Sequence, residues 1–220
     1  MKKALIALIL ASITLNVTAA VGDWKIYMSY SEPQQIQETG NYLFVQASNS
    51  LYLYNKNDQS IQTFDKTTGM SDVVVTYISW NQKAKRLVVV YDNSNIDLID
   101  LQGNVTNVPY LYNKSMTEDK TVNSIVNNDK YAYIATNFGG IKLNVASGEV
   151  YESYLLGQSI KRFAVSGSTI YALNTQNKAI SASMSTNLQD KANWESTPSY
   201  PDGIFNVDNS AYTNNIELVK

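Results

Sequence analysis

The chain has 220 residues, with 17 lysines and arginines, 19 aspartates and glutamates, and neither histidine nor cysteine. Without histidine it has no Ser-His-Asp triad, no histidine-ligated zinc and no histidine acid–base catalyst. Without cysteine it has no disulfides, thiolate nucleophiles or thiolate metal sites. We therefore expect a protein that is not an enzyme, binds no cofactor or metal, and is stabilised by packing alone.

The first twenty residues have the pattern of a secretory signal peptide. Lys2 and Lys3 precede an apolar run over residues 4–15, and small residues follow at Ala19 and Ala20. Cleavage after Ala19 and cleavage after Ala20 both fit. An uncleaved anchor is the alternative, but the apolar run is shorter than the roughly 20 residues that span a bilayer. We expect Sec export to the periplasm or cell surface, and no lipoprotein anchor, which needs a cysteine.

The charge of the mature chain is mildly acidic. Removal of Lys2 and Lys3 leaves 15 basic residues against 19 acidic ones, a net charge of −4, and no basic run is present. Nucleic acid and anionic membrane surfaces are therefore not expected as partners.

An apolar hairpin recurs four times along the chain. Short β-branched or aromatic runs alternate with turn residues, which is typical of antiparallel sheets. With Leu43, Val88, Tyr133 and Ala172 taken as equivalent, the spacings are 45, 45 and 39 residues. A four-stranded repeat of roughly 40–45 residues has the size of one propeller blade.

Each hairpin is preceded by an apolar run and followed by a more polar strand, and the last of these polar strands is degraded near Trp194. The run Leu87-Val88-Val89-Val90 predicts a strand that is buried on both faces. The best helix candidate is the short stretch 187–194, and the tail 201–220 is a candidate start of a fifth blade. The predicted fold class is all-β, with about four four-stranded antiparallel blades. Either four blades close on themselves or they open a larger ring.

Five short segments, in this order and spacing, carry a resemblance to a known family. They are Val21-Gly22-Asp23-Trp24, Gly69-Met70-Ser71-Asp72, Asn95-Ile96-Asp97-Leu98-Ile99, Asp119-Lys120-Thr121-Val122-Asn123 and Phe138-Gly139-Gly140-Ile141. Together they resemble the N-terminal β-propeller of PorZ-like proteins from Bacteroidetes. The resemblance covers nearly all of the mature chain up to about Gly203.

The resemblance implies two seven-bladed propellers of the two-component-regulator type, followed by a sorting domain. It also implies a cell-surface accessory of type IX secretion that hands anionic lipopolysaccharide to a sortase. This sequence stops within the first propeller, so residues 21–220 are expected to be an incomplete, truncated N-terminal propeller, the start of a seven-bladed ring. The expected partners are proteins of the secretion machinery, surface glycan or lipopolysaccharide, and the remaining blades of a longer chain.

Two other functions stay open beside this non-catalytic binding or scaffold role. Related propellers form the periplasmic sensor half of hybrid two-component receptors. A polysaccharide-active propeller enzyme is the second alternative. Fold alone does not decide among the three.

Four tyrosines on or beyond outer strands are the candidate contacts for glycan or protein. They are Tyr110, Tyr112, Tyr151 and Tyr154. Exposed aromatic rings can stack on sugar rings, although tyrosine is also common in strands for its packing alone. Trp24, Trp80 and Trp194 are expected to pack between blades.

Three other patterns are expected to be structural. Residues 92–97 lack the glycine and glutamate of a calcium loop, which favours a polar hairpin turn. Glu149 and Glu152 are an odd number of residues apart, so a regular strand would point them to opposite faces. Glu118 and Asp119 belong to a loop, where surface charge is expected, and Gly139-Gly140 is expected to form a hairpin turn.

Overall fold

The computed structural model describes residues 28–206, which form four sheets of four strands each. Blade 1 contains β1 (Pro33–Thr39), β2 (Tyr42–Ala47), β3 (Ser50–Asn55) and β4 (Ile61–Phe64). Blade 2 contains β5 (Val75–Asn81), β6 (Arg86–Tyr91), β7 (Ile96–Ile99) and β8 (Val105–Asn107). Blade 3 contains β9 (Val122–Asn128), β10 (Tyr131–Thr136), β11 (Gly139–Asn144) and β12 (Glu149–Leu155). Blade 4 contains β13 (Ile160–Ser166), β14 (Thr169–Asn174), β15 (Ala179–Ser183) and β16 (Glu195–Ser196).

Each blade is an antiparallel meander in which consecutive strands pair. The predicted all-β architecture of four four-stranded propeller blades is therefore confirmed. The degraded last strand near Trp194 is also found, because β16 has two residues. The predicted signal peptide, Trp24 and residues 207–220 lie outside the described residues.

Helical structure is sparse. One short helix, α1 (Tyr110–Asn113), follows β8, and two 3-10 turns lie at Lys66–Thr68 and Lys191–Asn193. The stretch 187–194 was expected to be helical, and it contains only the second of these turns. In the part of the chain between residues 28 and 206, no helix has the length and apolarity that a membrane crossing requires.

Three apolar cores lie between consecutive blades. Side chains of β6 alternate between two of them: Leu87 and Val89 pack against blade 1, whereas Val88 and Val90 pack against blade 3. All four are completely buried. The prediction that this run forms a strand covered on both faces is confirmed.

The repeat period was predicted correctly, but the equivalence of its positions was not. Val88 and Tyr133 lie in the cores shared with the following blade, whereas Ala172 lies in the core shared with the preceding one. Leu43 alternates with Phe44, which packs toward blade 2, so Leu43 faces away from blade 2. The chosen positions therefore mix the two faces of the sheets.

The first strands of the blades lie side by side along the inner edge without pairing as one sheet. Amide side chains join them instead. Gln35 Oε1 accepts from the backbone N–H of Ile78 at 2.9 Å, and Gln37 Oε1 accepts from that of Trp80 at 3.0 Å. Asn127 Nδ2 donates to the carbonyl of Trp80 at 3.1 Å. These bonds satisfy backbone groups of β5 that no strand covers.

The predicted hairpin turn at Gly139-Gly140 is wrong. Asn137 and Phe138 form the turn, and both glycines belong to β11. A Cβ on Gly140 would lie 2.4 Å from Cε2 of Phe163, a residue of blade 4. Glycine is required here by close packing between blades 3 and 4.

A buried carboxylate joins two of the segments that carried the family resemblance. Asp97 in β7 is completely buried and accepts hydrogen bonds from Ser71 N at 2.8 Å, Ser71 Oγ at 2.7 Å and Asn107 Nδ2 at 2.9 Å. The Tyr91 hydroxyl also donates to it. Burial, together with the Asp97 charge, holds the pKa of Tyr91 well above its usual value, so the hydroxyl remains a donor. Asp97 thus fixes the loop that enters blade 2.

Asp97→Asn is expected to lower the free energy of unfolding by about 2–4 kcal/mol. The asparagine side chain replaces one carboxylate oxygen by an NH2 group, so the groups that donate to that oxygen lose their acceptor. Urea unfolding of the full chain, followed by circular dichroism, measures the loss. Asp92→Asn is the control, since Asp92 is exposed in the same region. An equal effect of the two substitutions would contradict this role of Asp97.

Gly140→Ala is expected to destabilise the chain by about 1–3 kcal/mol through overpacking, because the new methyl group meets Phe163 and the carbonyl of Ile134. Gly167→Asn is the control: Gly167 lies in an open turn with φ of +57°, which asparagine tolerates. Thermal unfolding compares the two. A Gly140→Ala protein as stable as the control would show that blades 3 and 4 pack less tightly than described.

Candidate functional site

A groove runs along the outer rim between blades 2 and 3, with a volume of about 580 Å³. Its walls are α1, with the segment that leads into it, and the start of β12 with the preceding turn. The lining residues are Asn107, Val108, Pro109, Tyr110, Asn113, Gly148, Glu149, Val150 and Tyr151. Two of the four tyrosines predicted as contacts, Tyr110 and Tyr151, therefore lie in one groove.

The helix α1 is held in place from both sides. Leu111 is completely buried in the core between blades 2 and 3, which leaves Tyr110 and Tyr112 exposed beside it. Lys120 Nζ donates to the carbonyls of Leu111 at 2.8 Å, Tyr112 at 3.1 Å and Lys114 at 3.1 Å. A cation is favourable at the carbonyls of a helix end. One wall of the groove is thereby rigid despite the short helix.

Tyr110 has a lysine beside its ring. Lys114 Nζ lies 5.0 Å from the ring centroid and donates to the Tyr110 hydroxyl at 3.0 Å. It also lies 3.5 Å from Ser153 Oγ on β12. Lys114 therefore spans from α1 to the opposite wall and places a positive charge next to the groove.

Tyr151 is displayed by a β-bulge. Residues Lys142 and Leu143 of β11 pair with Glu152 and Val150, so Tyr151 is the extra residue on β12. Bulges change the direction of a side chain at a sheet edge. The Tyr151 side chain is accordingly 62% exposed.

A lysine lies among three tyrosine rings behind the bulge. Lys142 Nζ is 4.9 Å from the ring centroid of Tyr151, 4.6 Å from that of Tyr131 and 5.8 Å from that of Tyr133. The Tyr131 and Tyr151 rings are 5.9 Å apart. Glu152 Oε1 lies 3.6 Å from the same lysine nitrogen. Cation–π attraction and this ion pair hold Tyr151 in one orientation.

Burial and charge also affect the innermost of these rings. Desolvation, together with the neighbouring Glu152 carboxylate, raises the pKa of Tyr133 to about 12. Tyr133 therefore keeps its phenolic proton at neutral pH and packs beside Lys142 as a neutral ring.

The other two predicted tyrosines do not line the groove. Tyr112 is 53% exposed on α1 but is not among the residues that line the groove. The expectation that Tyr154 is accessible on the outer strand is wrong: it is completely buried, and its ring centroid lies 5.9 Å from that of Phe163 and 6.0 Å from that of Trp194. Its hydroxyl donates to Glu152 at 2.5 Å. Tyr154 packs blade 3 against blade 4.

The predicted packing role of two tryptophans is confirmed. Trp80 stacks on Phe44 of blade 1 with ring centroids 5.7 Å apart, and the ring centroid of Trp194 lies 6.0 Å from that of Tyr154 in blade 3. Both tryptophans are nearly buried.

The carboxylates near the groove have structural partners. Glu149 and Glu152 were expected on opposite faces, but the bulge at Tyr151 places them on the same face, since they pair with Asn144 and Lys142. Ser147 Oγ donates to Glu149 at 3.2 Å, and Glu152 pairs with Lys142.

The loop carboxylates that enter blade 3 also accept hydrogen bonds. Thr117 Oγ1 donates to Glu118 at 3.2 Å. Donation by the Thr121 hydroxyl at 2.7 Å, then by its backbone N–H and by Asn137, lowers the pKa of Asp119. Asp119 therefore stays ionised at neutral pH.

Residues 92–97, which were compared with a calcium-binding loop, form part of a turn and part of a strand. Residues 92–95 connect β6 to β7, as predicted for a hairpin turn, whereas Ile96 and Asp97 belong to β7. Within residues 28–206, no group of three or more acidic side chains is placed to hold a metal ion. Sequence reasoning missed Lys114 and Lys142, because neither lies in a motif and both act through residues brought together by the fold.

A family model described as the N-terminal β-propeller domain of PorZ, a component of type IX secretion, matches residues 43–195. PorZ from Porphyromonas gingivalis, described as an essential bacterial surface component of that system, has a solved structure similar to this one. The TM-score is 0.75 and the sequence identity 29%, over 80% of this chain and 24% of the PorZ chain. This chain therefore spans about a quarter of the PorZ length.

Two further solved structures share the fold. The extracellular domain of BT4673 from B. thetaiotaomicron, described as a one-component system, has a TM-score of 0.59 and 17% identity over 79% of this chain and 23% of its own. The computationally designed protein Ika8 has a TM-score of 0.54 and 11% identity, over 69% and 45% of the two chains. A comparison with curated proteins gave no match. Because the family model matches well over half of the sequence, the chain belongs to the PorZ N-terminal β-propeller domain family.

Proposed function

We propose that this chain is a non-catalytic binding and scaffold module of a type IX secretion component at the cell surface. The observation that carries the proposal is the family match over residues 43–195. The structural similarity to PorZ, a surface component of that system, supports it. In this role the blades act as a rigid frame, and the partners are proteins of the secretion machinery or surface glycans.

The non-catalytic part of the proposal rests on the available chemistry. The sequence has neither histidine nor cysteine, which leaves carboxylates as the main acid–base groups. Among those near the groove, Glu152 is paired with Lys142 and hydrogen-bonded by Tyr154. Glycoside cleavage uses two carboxylates that flank the scissile bond, whereas Glu152 is already engaged by these two partners.

The rim groove is the proposed glycan contact. Tyr151 presents an exposed ring of fixed orientation, and Tyr110 lies on the opposite wall. Stacking on sugar rings uses such aromatic faces, while Asn107, Asn113 and Glu149 offer hydrogen bonds to hydroxyl groups. The groove therefore combines the two kinds of contact that saccharides need.

Export and domain organisation complete the proposal. Residues 1–20 serve as a signal peptide that is removed on export, and residues 21–220 are part of one propeller that further blades complete. The likeness to PorZ, of which this chain covers 24%, supports a larger ring.

Tyr151→Ala is expected to weaken binding of polysaccharide released from Porphyromonas gingivalis lipopolysaccharide by about fivefold to tenfold, the loss of one stacked ring. Biolayer interferometry with immobilised polysaccharide measures the affinity. Tyr112→Ala is the matched control, because Tyr112 is exposed on the same rim but does not line the groove. Equal losses in the two variants, or no binding by the unmodified chain, would exclude the groove.

Deletion of the gene from its own bacterium is expected to reduce the amount of type IX cargo on the cell surface, and the wild-type gene should restore it. Quantitative proteomics of the surface fraction measures the effect. A sensor propeller would instead leave secretion intact and alter transcription in response to polysaccharide. Cleavage of polysaccharides by the purified chain would favour the enzyme alternative.

A further inference from the structure

A second cavity, of about 370 Å³, lies at the axis around which the four blades are arranged. The first strand of every blade contributes to its wall, through Gln37 of β1, Ser79 of β5, Asn127 of β9 and Arg162 of β13. Its volume falls within the range of small-molecule sites. The cavity is distant in the fold from the rim groove, with which it shares no lining residue.

The charge of this cavity is one-sided. Among the described residues that line it, Arg162 is the only one with a charged side chain. Within residues 28–206, Arg162 forms no ion pair and donates one hydrogen bond, from Nη1 to the carbonyl of Phe205 at 3.1 Å. A guanidinium has five N–H donors, so most of the hydrogen-bonding capacity of Arg162 has no partner among the described residues.

The polar groups around the cavity are fixed in position. Gln37 Oε1 accepts from the backbone N–H of Trp80, which orients the amide. Within the described residues its Nε2 has no acceptor, and it is left to donate. Asn127 is held by Ser79 Oγ at 2.8 Å and by the carbonyl of Trp80. Both N–H groups of Asn127 are therefore engaged, and the donor that a ligand would meet here is Gln37 Nε2, which needs little reorganisation.

We propose that the axial cavity binds a small organic oxyanion, a carboxylate or phosphate monoester of about the size of one sugar residue, through the Arg162 guanidinium. The planar fork of arginine matches both groups, with two parallel N–H···O bonds. Gln37 supplies a further donor, and the half-buried apolar residues Val126, Val165 and Ile204 line the remainder of the cavity.

Isothermal titration calorimetry of the full chain with three probes tests this proposal. The probes are D-glucuronate, D-glucose 6-phosphate and neutral D-glucose. At least one of the two anions should bind, more weakly as sodium chloride is added, and glucose should not. The stronger of the two anions identifies the preferred group. Binding of glucose with equal affinity, or no binding of either anion at about 10 mM, would overturn the proposal.

Arg162→Gln should weaken anion binding about tenfold or more, whereas Arg162→Lys should retain part of it. Arg86→Gln is the matched control, because Arg86 is the one other arginine of the sequence and does not line the cavity. Circular dichroism confirms folding of each variant; if Arg162→Gln does not fold, Arg162→Lys and the salt dependence decide. Full affinity in the Gln variant, or an equal loss in Arg86→Gln, would refute the role of Arg162.

Discussion

Burial of the second strand from both faces, as in blades 2 and 3, is the constraint on which the remaining structure depends. Side chains of a strand alternate between two faces, so a strand covered on both sides must be apolar at consecutive positions. In β6 the residues from Leu87 to Val90 are all completely buried, and their side chains enter two different cores. Each apolar face needs a neighbouring sheet, and consecutive sheets therefore stack as an array with separate cores between them.

Stacking leaves polar groups at the inner edge, where neighbouring first strands do not pair as one sheet. The chain solves this with amide side chains, whose oxygen and nitrogen can each replace a missing backbone partner. Gln35 does both at once, since it accepts from Ile78 N–H and donates to the carbonyl of Thr76 at 3.3 Å. Asp97 has a comparable role within blade 2, where a single carboxylate gathers the donors of a loop, a neighbouring ring and the outer strand.

Strand order and repeat length were predictable because apolar runs and turn residues recur at the blade period. The position of each residue within its strand could not be predicted, because the loop between the second and third strands varies in length. It has two residues in blades 1 and 3 and four residues in blades 2 and 4. The candidate site was predictable in part: Tyr110 and Tyr151 lie in one groove, whereas Tyr154 is buried. Strict alternation cannot reveal a bulge such as that at Tyr151. Gly140 was predicted to lie in a turn, but it is a strand residue that must be glycine because the ring of Phe163, 23 positions later in the chain, packs against it.

The amide bridges and the apolar cores each join one blade to the next along the chain. Such nearest-neighbour coupling makes the fold modular in the way of a linear repeat array. Duplication or loss of one whole unit by recombination would recreate the same kind of junction rather than open a new one. Blade number is thus a variable that evolution can adjust in single steps, while the chemistry of each junction is inherited intact.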